Sequence, residues 1–272
     1  MKVLYLLIYA FLMPGYVMAQ NAGNAHPKNT TGIAPKKTQK AQDEYNVFYE
    51  YANGDVYKGA IRDGKFEGYG VYQWADGNIY QGFFHEGLQE KEGSAFYVDK
   101  RNVYQGEWHQ GKRHGKGVLR MSNGDTYEGE WANDKRTGFG IFRSKTGDVY
   151  MGEWSNDLRN GQGTYSYANG DVYIGHWVNG EKDGYGCYRY ANGDIYEGAF
   201  MLSKFEGKGT YLYINGSVYI GQFHEGARHG YGIYRTANGQ VLSGNWTDNC
   251  LDEKPSKSKK NRDDDHPCFM ML

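Results

Sequence analysis

Hydrophobic and polar residues alternate along most of the chain, and glycine or an Asn-Gly pair interrupts the alternation at short, regular intervals. Residues 127–131 have the form Tyr-x-Gly-x-Trp, and residues 184–190 have the form Gly-x-Gly-x-Tyr-x-Tyr. Turn sequences such as Val178 to Glu181, which contains Asn-Gly, separate these segments. Alternation with a period of two predicts strands, and Asn-Gly between strands predicts a tight hairpin. The pattern therefore predicts an all-β chain of hairpins.

The hairpin pattern repeats along the chain with a nearly constant step. Its leading tyrosine recurs every 23 residues, except for a step of 24 in one place. The leading tyrosines are Tyr57, Tyr80, Tyr104, Tyr127, Tyr150, Tyr173, Tyr196 and Tyr219, and a partial ninth unit contains Leu242, Gly244 and Trp246. Self-similarity at such a period is typical of repeat proteins, whose units stack on their neighbours.

Glycine stands in the middle of the predicted strands, where it normally weakens a sheet. A glycine without a side chain leaves room for a tyrosine or tryptophan ring from the neighbouring strand to lie flat on the backbone. We therefore predict a continuous layer of aromatic rings on glycine. Under this hypothesis Gly129→Val displaces the facing ring and lowers the melting temperature.

Two repeats depart from the pattern, and in the first of them Ile61 replaces the tryptophan. In the repeat that begins at Tyr80, Glu92 and Ser94 stand where the Gly-x-Gly pair is expected, and the closing turn at residues 99–102 has no glycine. We therefore expect a bulge or a local bend between residues 88 and 102.

The recurrence of Tyr-x-Gly-x-Trp or Phe, followed by Gly-x-Gly-x-Tyr, resembles the MORN (membrane occupation and recognition nexus) repeats over about residues 45–250. The resemblance implies an elongated, single-layer antiparallel sheet of about eight stacked 23-residue β-hairpin repeats. It also implies a non-catalytic scaffold that binds partner proteins along an aromatic-lined groove. Binding of phospholipids has been proposed for the family and is the alternative.

The middle repeats carry the strongest run of tyrosine and tryptophan, and exposed rings of these types are favoured at interfaces. The predicted partner-binding residues are Tyr104, Trp108, Tyr127, Trp131, Tyr150, Trp154, Tyr173 and Trp177. We expect an extended or helical segment of a partner protein as the ligand. The other interpretation is that these rings form the sheet's own core.

The alternative function is peripheral binding to a phospholipid surface. Interfacial tyrosine and tryptophan would act there with a set of basic residues, namely Lys65, Lys112, Arg113, Lys116, Lys135 and Arg136. Acidic residues near these basic residues reduce the net positive charge of the set. The chain as a whole has 31 basic and 32 acidic residues, so its charge gives no attraction to nucleic acid, and we expect no nucleic-acid partner.

Sequence signatures of catalysis are missing from the repeats. No Gly-x-Ser-x-Gly, His-Glu-x-x-His or Gly-x4-Gly-Lys-Ser/Thr motif occurs in the sequence. Aspartates recur at one turn position, where this residue commonly bonds its own backbone. These are Asp125, Asp148, Asp171 and Asp194. We therefore predict no enzyme and no cofactor.

Histidines recur near the hairpin turns at His85, His109 and His224, and again at His114 and His229. Equivalent residues of neighbouring repeats are expected about 10 Å apart, too far for two bonds of about 2 Å to one metal. Solvated turn histidines are the better interpretation, and we predict no metal site.

The flanks differ from the repeats. Residues 1–19 have the charge, apolar run and cleavage-site pattern of a secretory signal peptide, with a membrane anchor as the alternative. Residues 20–44 are predicted to be a flexible leader, residues 45–251 the repeat domain and residues 252–272 a charged flexible tail. This organisation predicts a location in the secretory pathway, extracellular or periplasmic, with a membrane-peripheral position as a variant.

Secretion places a chain in an oxidising compartment, where its cysteines can form disulfides. Cys250 and Cys268 flank the tail and either close a small loop or stay reduced, whereas Cys187 occupies a small apolar position in a strand. Asn29, Asn215 and Asn245 begin N-glycosylation sequons, which have meaning only in a eukaryotic secretory pathway.

Overall fold

The computed structural model describes residues 36–37 and 47–252. These residues contain strands, turns and no helix, and therefore no helix long and apolar enough to cross a membrane. The strands are β1 (Lys36–Lys37), β2 (Val47–Glu50), β3 (Val56–Arg62), β4 (Lys65–Gln73), β5 (Ile79–His85), β6 (Leu88–Tyr97), β7 (Asn102–His109), β8 (Lys112–Arg120), β9 (Thr126–Ala132), β10 (Lys135–Arg143), β11 (Val149–Ser155), β12 (Leu158–Ser166), β13 (Val172–Val178), β14 (Glu181–Arg189), β15 (Ile195–Met201), β16 (Lys204–Leu212), β17 (Val218–His224), β18 (Ala227–Arg235), β19 (Val241–Thr247) and β20 (Cys250–Leu251).

The strands belong to two compact units. The first unit comprises the described residues up to Gly147 together with Trp154–Asp157, and the second comprises Asp148–Glu153 and the described residues from Leu158 onward. In the first unit every strand from β1 to β10 pairs antiparallel with the next. In the second unit the same holds from β12 to β20. The predicted antiparallel sheet of hairpin repeats is thus confirmed.

The hairpins form because their turns carry residues that accept a left-handed backbone. In the turn between β9 and β10, Asn133 and Asp134 have φ values of 50° and 70°. Two consecutive positive φ values define the type I′ turn, whose twist matches that of the two strands it joins. Asn179 and Gly180 take the same place between β13 and β14, with φ values of 50° and 92°. The Asn-Gly turn predicted there is confirmed.

The core of each repeat is a tyrosine ring lying on a pair of glycines. Gly129 of β9 pairs with Gly140 of β10, and a side-chain carbon built on Gly140 would lie 2.6 Å from two atoms of the Tyr127 ring. The Tyr127 hydroxyl then donates to the carbonyl oxygen of Glu130 at 3.0 Å. The predicted layer of rings on glycine is confirmed for Gly140. For Gly129, however, the ring comes from the same strand rather than from the neighbouring one.

The repeat that begins at Tyr80 follows the common plan more closely than the sequence suggested. Gly93 pairs with Gly82 and lies against the Tyr80 ring, as the second glycine does in other repeats. Lys91 takes the place of the first glycine, with a positive φ of 59°. The expectation that Glu92 occupies a glycine position is therefore wrong. The register shift next to Gly82 occurs at the corresponding glycine of other hairpins, and the extra residue follows Gly93.

The turns between hairpins are joined by the recurring aspartates. Asp171 accepts the backbone N–H of Ala191 at 2.8 Å and the hydroxyl of Tyr188 at 2.7 Å, and both donors belong to the following repeat. Asn169 caps the turn locally by accepting the N–H of Asp171 at 3.0 Å. The prediction that the aspartates bond their own backbone is therefore wrong, because their carboxylates hold the next turn in place.

Both ends of the repeat array carry additional strands. β2 pairs with β3 within the segment predicted to open the array, and β1 lies in the segment predicted to be a flexible leader. At the other end β19 and β20 form the partial ninth unit. Cys187 is a free thiol and Cys250 is disulfide-bonded, whereas Cys268, the predicted signal peptide and the charged tail lie outside the described residues.

Candidate partner-binding surface

The eight aromatic residues predicted to bind a partner lie in the core of the repeats. Their exposed fractions are 0% for Tyr104, Tyr127 and Tyr173, 1% for Tyr150, 2% for Trp177, 3% for Trp131, 5% for Trp108 and 7% for Trp154. In the structure these rings therefore form the sheet's own core, which is the second of the two interpretations that the sequence allowed. Their role in binding a partner stays a prediction.

Trp131 joins its own repeat to the preceding one. The Trp131 ring meets the Tyr104 and Tyr127 rings edge to face, with centroids 5.3 and 5.2 Å apart. Its indole N–H donates to the carbonyl oxygen of Gly117 at 3.2 Å. Edge-to-face aromatic pairs and a satisfied indole N–H both stabilise such an interface. The tryptophan ring thus covers one face of the sheet, as a second sheet would do in a two-sheet protein.

A residue nine positions after the leading tyrosine covers this aromatic core, and we call it the cap residue. The cap residues are Phe66, Gln89, Arg113, Arg136, Arg159, Lys182, Phe205 and Arg228. The Phe205 ring stacks on Tyr196 with centroids 3.7 Å apart. The Arg159 guanidinium carbon lies 4.4 Å from the centre of the Trp177 ring, a cation–π contact. The sequence did not reveal this arrangement.

In the second unit, tyrosines of the even-numbered strands and of the turns that follow them form a continuous row, which we call the tyrosine ladder. Successive ring centroids lie 4.4, 5.9, 4.6, 6.0, 4.5 and 5.9 Å apart. The ladder consists of Tyr165, Tyr167, Tyr188, Tyr190, Tyr211, Tyr213 and Tyr234. All except Tyr234, which is 4% exposed, are partly exposed. The ladder is therefore an accessible aromatic surface on a well-packed base.

Hydrogen bonds to aspartates fix every second ring of the ladder. Tyr165, Tyr188 and Tyr211 donate to Asp148, Asp171 and Asp194 at 3.0, 2.7 and 3.0 Å. Burial, reinforced by the hydrogen bond to its aspartate, raises the pKa of Tyr165 to about 12. This phenol therefore stays protonated at neutral pH, and its ring is held in one orientation.

Cations border the ladder. Lys182 donates from Nζ to the Tyr167 hydroxyl at 3.1 Å and lies 4.6 Å from the centre of the Tyr188 ring. Burial, and then the positive charge of Arg159, lower the pKa of Lys182. Arg228 stacks on Trp246 at 4.5 Å. The surface thus combines aromatic faces with partly buried positive charge.

The opposite face carries exposed apolar side chains, because successive residues of a strand point to opposite faces. Tyr69 and Phe139 of the first unit are 53% and 51% exposed. In the second unit the exposed fractions are 45% for Ile174, 65% for Tyr185 and 59% for Tyr231. The Tyr185 ring is absent from the ladder's chain of ring contacts, so this face provides matched controls for the ladder.

Three of the six basic residues considered for membrane binding form ion pairs with carboxylates. Lys65 pairs with Glu86 at 3.3 Å, Arg113 with Asp134 at 3.2 Å and Arg136 with Asp157 at 3.0 Å. Both arginines also lie over tryptophan rings of the core. The positive charge available to a lipid headgroup is therefore smaller than the sequence suggested.

The turn histidines bond glutamates of the preceding hairpin. His85, His109 and His224 meet Glu67, Glu90 and Glu206 at 3.2, 2.9 and 3.1 Å. The hydrogen bond and the charge of Glu206 raise the pKa of His224, and the same hydrogen bond lowers the pKa of Glu206. No group of three or more metal-ligating side chains with suitable geometry occurs in residues 36–37 and 47–252.

The ladder was visible in the sequence but was not selected. The motif Gly-x-Gly-x-Tyr-x-Tyr places two tyrosines on one face of each second strand and its turn, and it recurs at Tyr165, Tyr188 and Tyr211. In the first unit, Leu119 and Phe142 stand at the equivalent position of two repeats, although Tyr72 keeps a tyrosine there. The recurrence of paired tyrosines in three successive repeats of the second unit was the signal that would have identified this surface.

The fold and the surface define a β-hairpin repeat protein with a tyrosine-lined face. The model of the MORN repeat matches residues 57–79, 104–126, 127–149, 150–172, 173–195, 196–218 and 219–241. The chain belongs to the MORN-repeat family. The unmatched stretch between the first two matches contains the repeat with the extra residue.

Comparison of whole chains adds no closer relative. No curated protein sequence matches the chain. Among solved structures, the TCP10 domain of Danio rerio CPAP is 11% identical, with a TM-score of 0.42 over 73% of this chain and 93% of that chain. The Drosophila melanogaster SAS-4 (dCPAP) TCP domain, in complex with a proline-rich motif of Ana2 (dSTIL), is 12% identical, with a TM-score of 0.34 over 79% and 97%.

Proposed function

We propose that the protein is a non-catalytic scaffold whose second unit binds an extended segment of a partner protein on the tyrosine ladder. The observation that carries the proposal is the unbroken row of partly exposed tyrosine rings from Tyr165 to Tyr213. Tyrosine is enriched at protein interfaces because its rigid ring supplies contact area at low entropic cost.

The geometry of the ladder favours a segment that crosses the strands. Neighbouring strands lie about 4.8 Å apart, so each hairpin adds about 10 Å to the row. An extended chain advances about 3.3 Å per residue, and three residues therefore cover one hairpin. About ten residues of a partner would contact the ladder from Tyr165 to Tyr234.

Affinity capture from the source cells tests this proposal with variants on the two faces. Tyr190→Ser together with Tyr213→Ser removes two ladder rings, and Tyr185→Ser together with Tyr231→Ser removes two rings of the opposite face. We expect quantitative mass spectrometry to identify a protein that the wild type and the second variant retain and the first loses. A partner that only the second variant loses would place binding on the opposite face and refute the proposal.

The phospholipid alternative is tested in parallel. The basic residues that it needs include Lys65, Arg113 and Arg136, each of which is paired with a carboxylate. We expect the protein not to float with phosphatidylserine vesicles at low salt. Flotation that persists in the ladder variant, with no protein partner captured, would favour the membrane function.

A secretory location is a separate proposal that rests on residues 1–19. It predicts that a fusion of the full chain to a fluorescent protein enters the secretory pathway, whereas a fusion that begins at Gln20 stays in the cytosol. Identical distributions of the two fusions would refute it.

A further inference from the structure

Two cap residues of the first unit have their counter-charge within the chain. Arg113 donates from Nε to Oδ1 of Asp134 at 3.2 Å, and one of its terminal nitrogens donates to the carbonyl oxygen of Asp134 at 2.8 Å. Arg136 bonds Asp157 in the same way, at 3.0 and 2.9 Å. Each aspartate lies in the turn of the following hairpin, 21 residues after its arginine.

The charged cap residues of the second unit lack this carboxylate. The residues 21 positions after Arg159, Lys182 and Arg228 are Gly180, Ser203 and Asn249. Arg159 and Arg228 keep the bond to the backbone carbonyl at this position, each at 2.8 Å. Within residues 47–252, none of the three cations forms an ion pair with a carboxylate.

The three cations stay over the aromatic core without an ion pair. The contact of Arg159 with Trp177 equals that of Arg136 with Trp154, both at 4.4 Å, so the missing aspartate has not released the side chain. A partly buried cation without an ion-pair partner is costly, and an incoming carboxylate would offset that cost. Burial lowers the pKa of Lys182 and the charge of Arg159 lowers it further, whereas the more distant charges of Glu181 and Asp171 act in the opposite direction.

We propose that the segment bound on the tyrosine ladder is acidic, with its carboxylates beside Arg159, Lys182 and Arg228 in the place that Asp134 and Asp157 occupy in the first unit. This inference rests on the proposed function. Charge complementarity selects an acidic partner, and the ladder supplies the apolar contacts between its charges.

The spacing of the cap residues predicts the pattern of the segment. Arg159 and Lys182 belong to successive repeats, about 10 Å apart, which an extended chain covers in three residues. Phe205 is the cap residue of the next repeat, and Arg228 follows it. Counted from its first acidic residue, the segment is therefore expected to have acidic residues at about positions 1, 4 and 10 and an apolar residue at about position 7.

A variant that supplies the missing carboxylates tests the inference. Gly180→Asp, Ser203→Asp and Asn249→Asp are combined in one full-length chain. A side-chain carbon built on Gly180 meets no atom within 4 Å, and the strain that the φ of 92° imposes on any side chain there is the same in the asparagine control. Ser203 and Asn249 have φ values of 66° and 72°, close to the 70° of Asp134. The matched control carries Gly180→Asn and Ser203→Asn and keeps Asn249, which gives the same shapes without the charge.

The probe is a phage-displayed library of random 16-residue peptides selected on the wild-type protein. We expect the selected peptides to be enriched in aspartate and glutamate at two positions three residues apart and at a third position six residues further on. Their dissociation constants should rise about tenfold or more on the triple aspartate variant and should stay unchanged on the asparagine control, because charge-assisted hydrogen bonds are lost only in the first. Melting curves of both variants verify that they are folded.

Each other outcome overturns a defined part of the argument. Peptides without acidic enrichment, or equal affinity for the two variants, would refute the acidic partner and leave the proposed function standing, provided that the ladder variant loses them. Failure to select any peptide would refute both. Binding of phosphatidylserine vesicles that the triple aspartate variant loses, with no peptide selected, would assign the three cations to a lipid surface instead.

Discussion

Replacement of Gly140 by alanine tests whether the fold depends on the ring that lies on its backbone. The new methyl carbon would stand 2.6 Å from Cε2 and Cζ of Tyr127, so the ring must move. Overpacking of this kind costs about 1–3 kcal/mol. Displacement of the ring also breaks the bond from its hydroxyl to Glu130, worth about 1 kcal/mol. The reduced entropy of the unfolded chain returns about 0.4–1 kcal/mol.

The expected net loss for Gly140→Ala is therefore about 1–4 kcal/mol. In a chain of this size the melting temperature should fall by about 2–4 °C for each kcal/mol lost, measured by circular dichroism. Gly180→Asn is the control, because open space surrounds its turn position and only the φ of 92° strains a new side chain, for which we expect a loss of about 1 kcal/mol or less. Equal melting temperatures for the two variants would refute the claim that tyrosine packing excludes every side chain at Gly140.

Three further changes probe other contacts. Trp131→Ala should cost about 3–5 kcal/mol in urea denaturation, since the ring and its indole bond join two repeats, and a loss below 1 kcal/mol would contradict that packing. His224→Gln should remove a small contribution to the free energy of unfolding. In the wild type the contribution of His224 is present below pH of about 6.5 and is lost as pH rises through the raised pKa of His224. The contribution of Glu206, whose pKa is lowered, is lost as pH falls below about 4.3. Identical pH profiles would exclude the pair. Asp171→Ala should speed amide exchange in the next turn and free the Tyr188 hydroxyl, whereas unchanged exchange would show that the carboxylate is dispensable.

The sequence predicted the contacts that lie within one hairpin and missed those that join hairpins. Tyr127, Gly129 and Gly140 belong to one repeat, and both the alternation of strand residues and the position of glycine identify them. The contact between Arg136 and Trp154 joins residues of different repeats, and its arginine resembled ordinary surface charge in the sequence. Periodicity specifies the repeat, but the contact between neighbours depends on the register of pairing and on the reach of long side chains.

The same limit explains why the predicted binding residues proved to be core. Tyrosine and tryptophan are typical of interfaces and also of a sheet that must bury its own rings, and the sequence of one repeat does not separate the two uses. In the structure the first strand's Tyr150 is 1% exposed, whereas Tyr167 and Tyr190 after the second strands remain partly accessible. Mutation of Trp131 or Trp154 is consequently a test of folding, and substitutions in the ladder are the proper test of binding.

Two differences between the units occur together in the repeats that begin at Tyr150 and Tyr173, and together they argue that binding is concentrated in the second unit. Where the first unit has Asp134 beside Arg113, the second has Asn249 beside Arg228, so the cation is present there without the ion pair. Paired tyrosines also recur in three successive repeats of the second unit. Departures from the self-sufficient arrangement of a repeat are expected where a protein gives up stability for function. A partner that provides both carboxylates and apolar contacts accounts for the two differences at once.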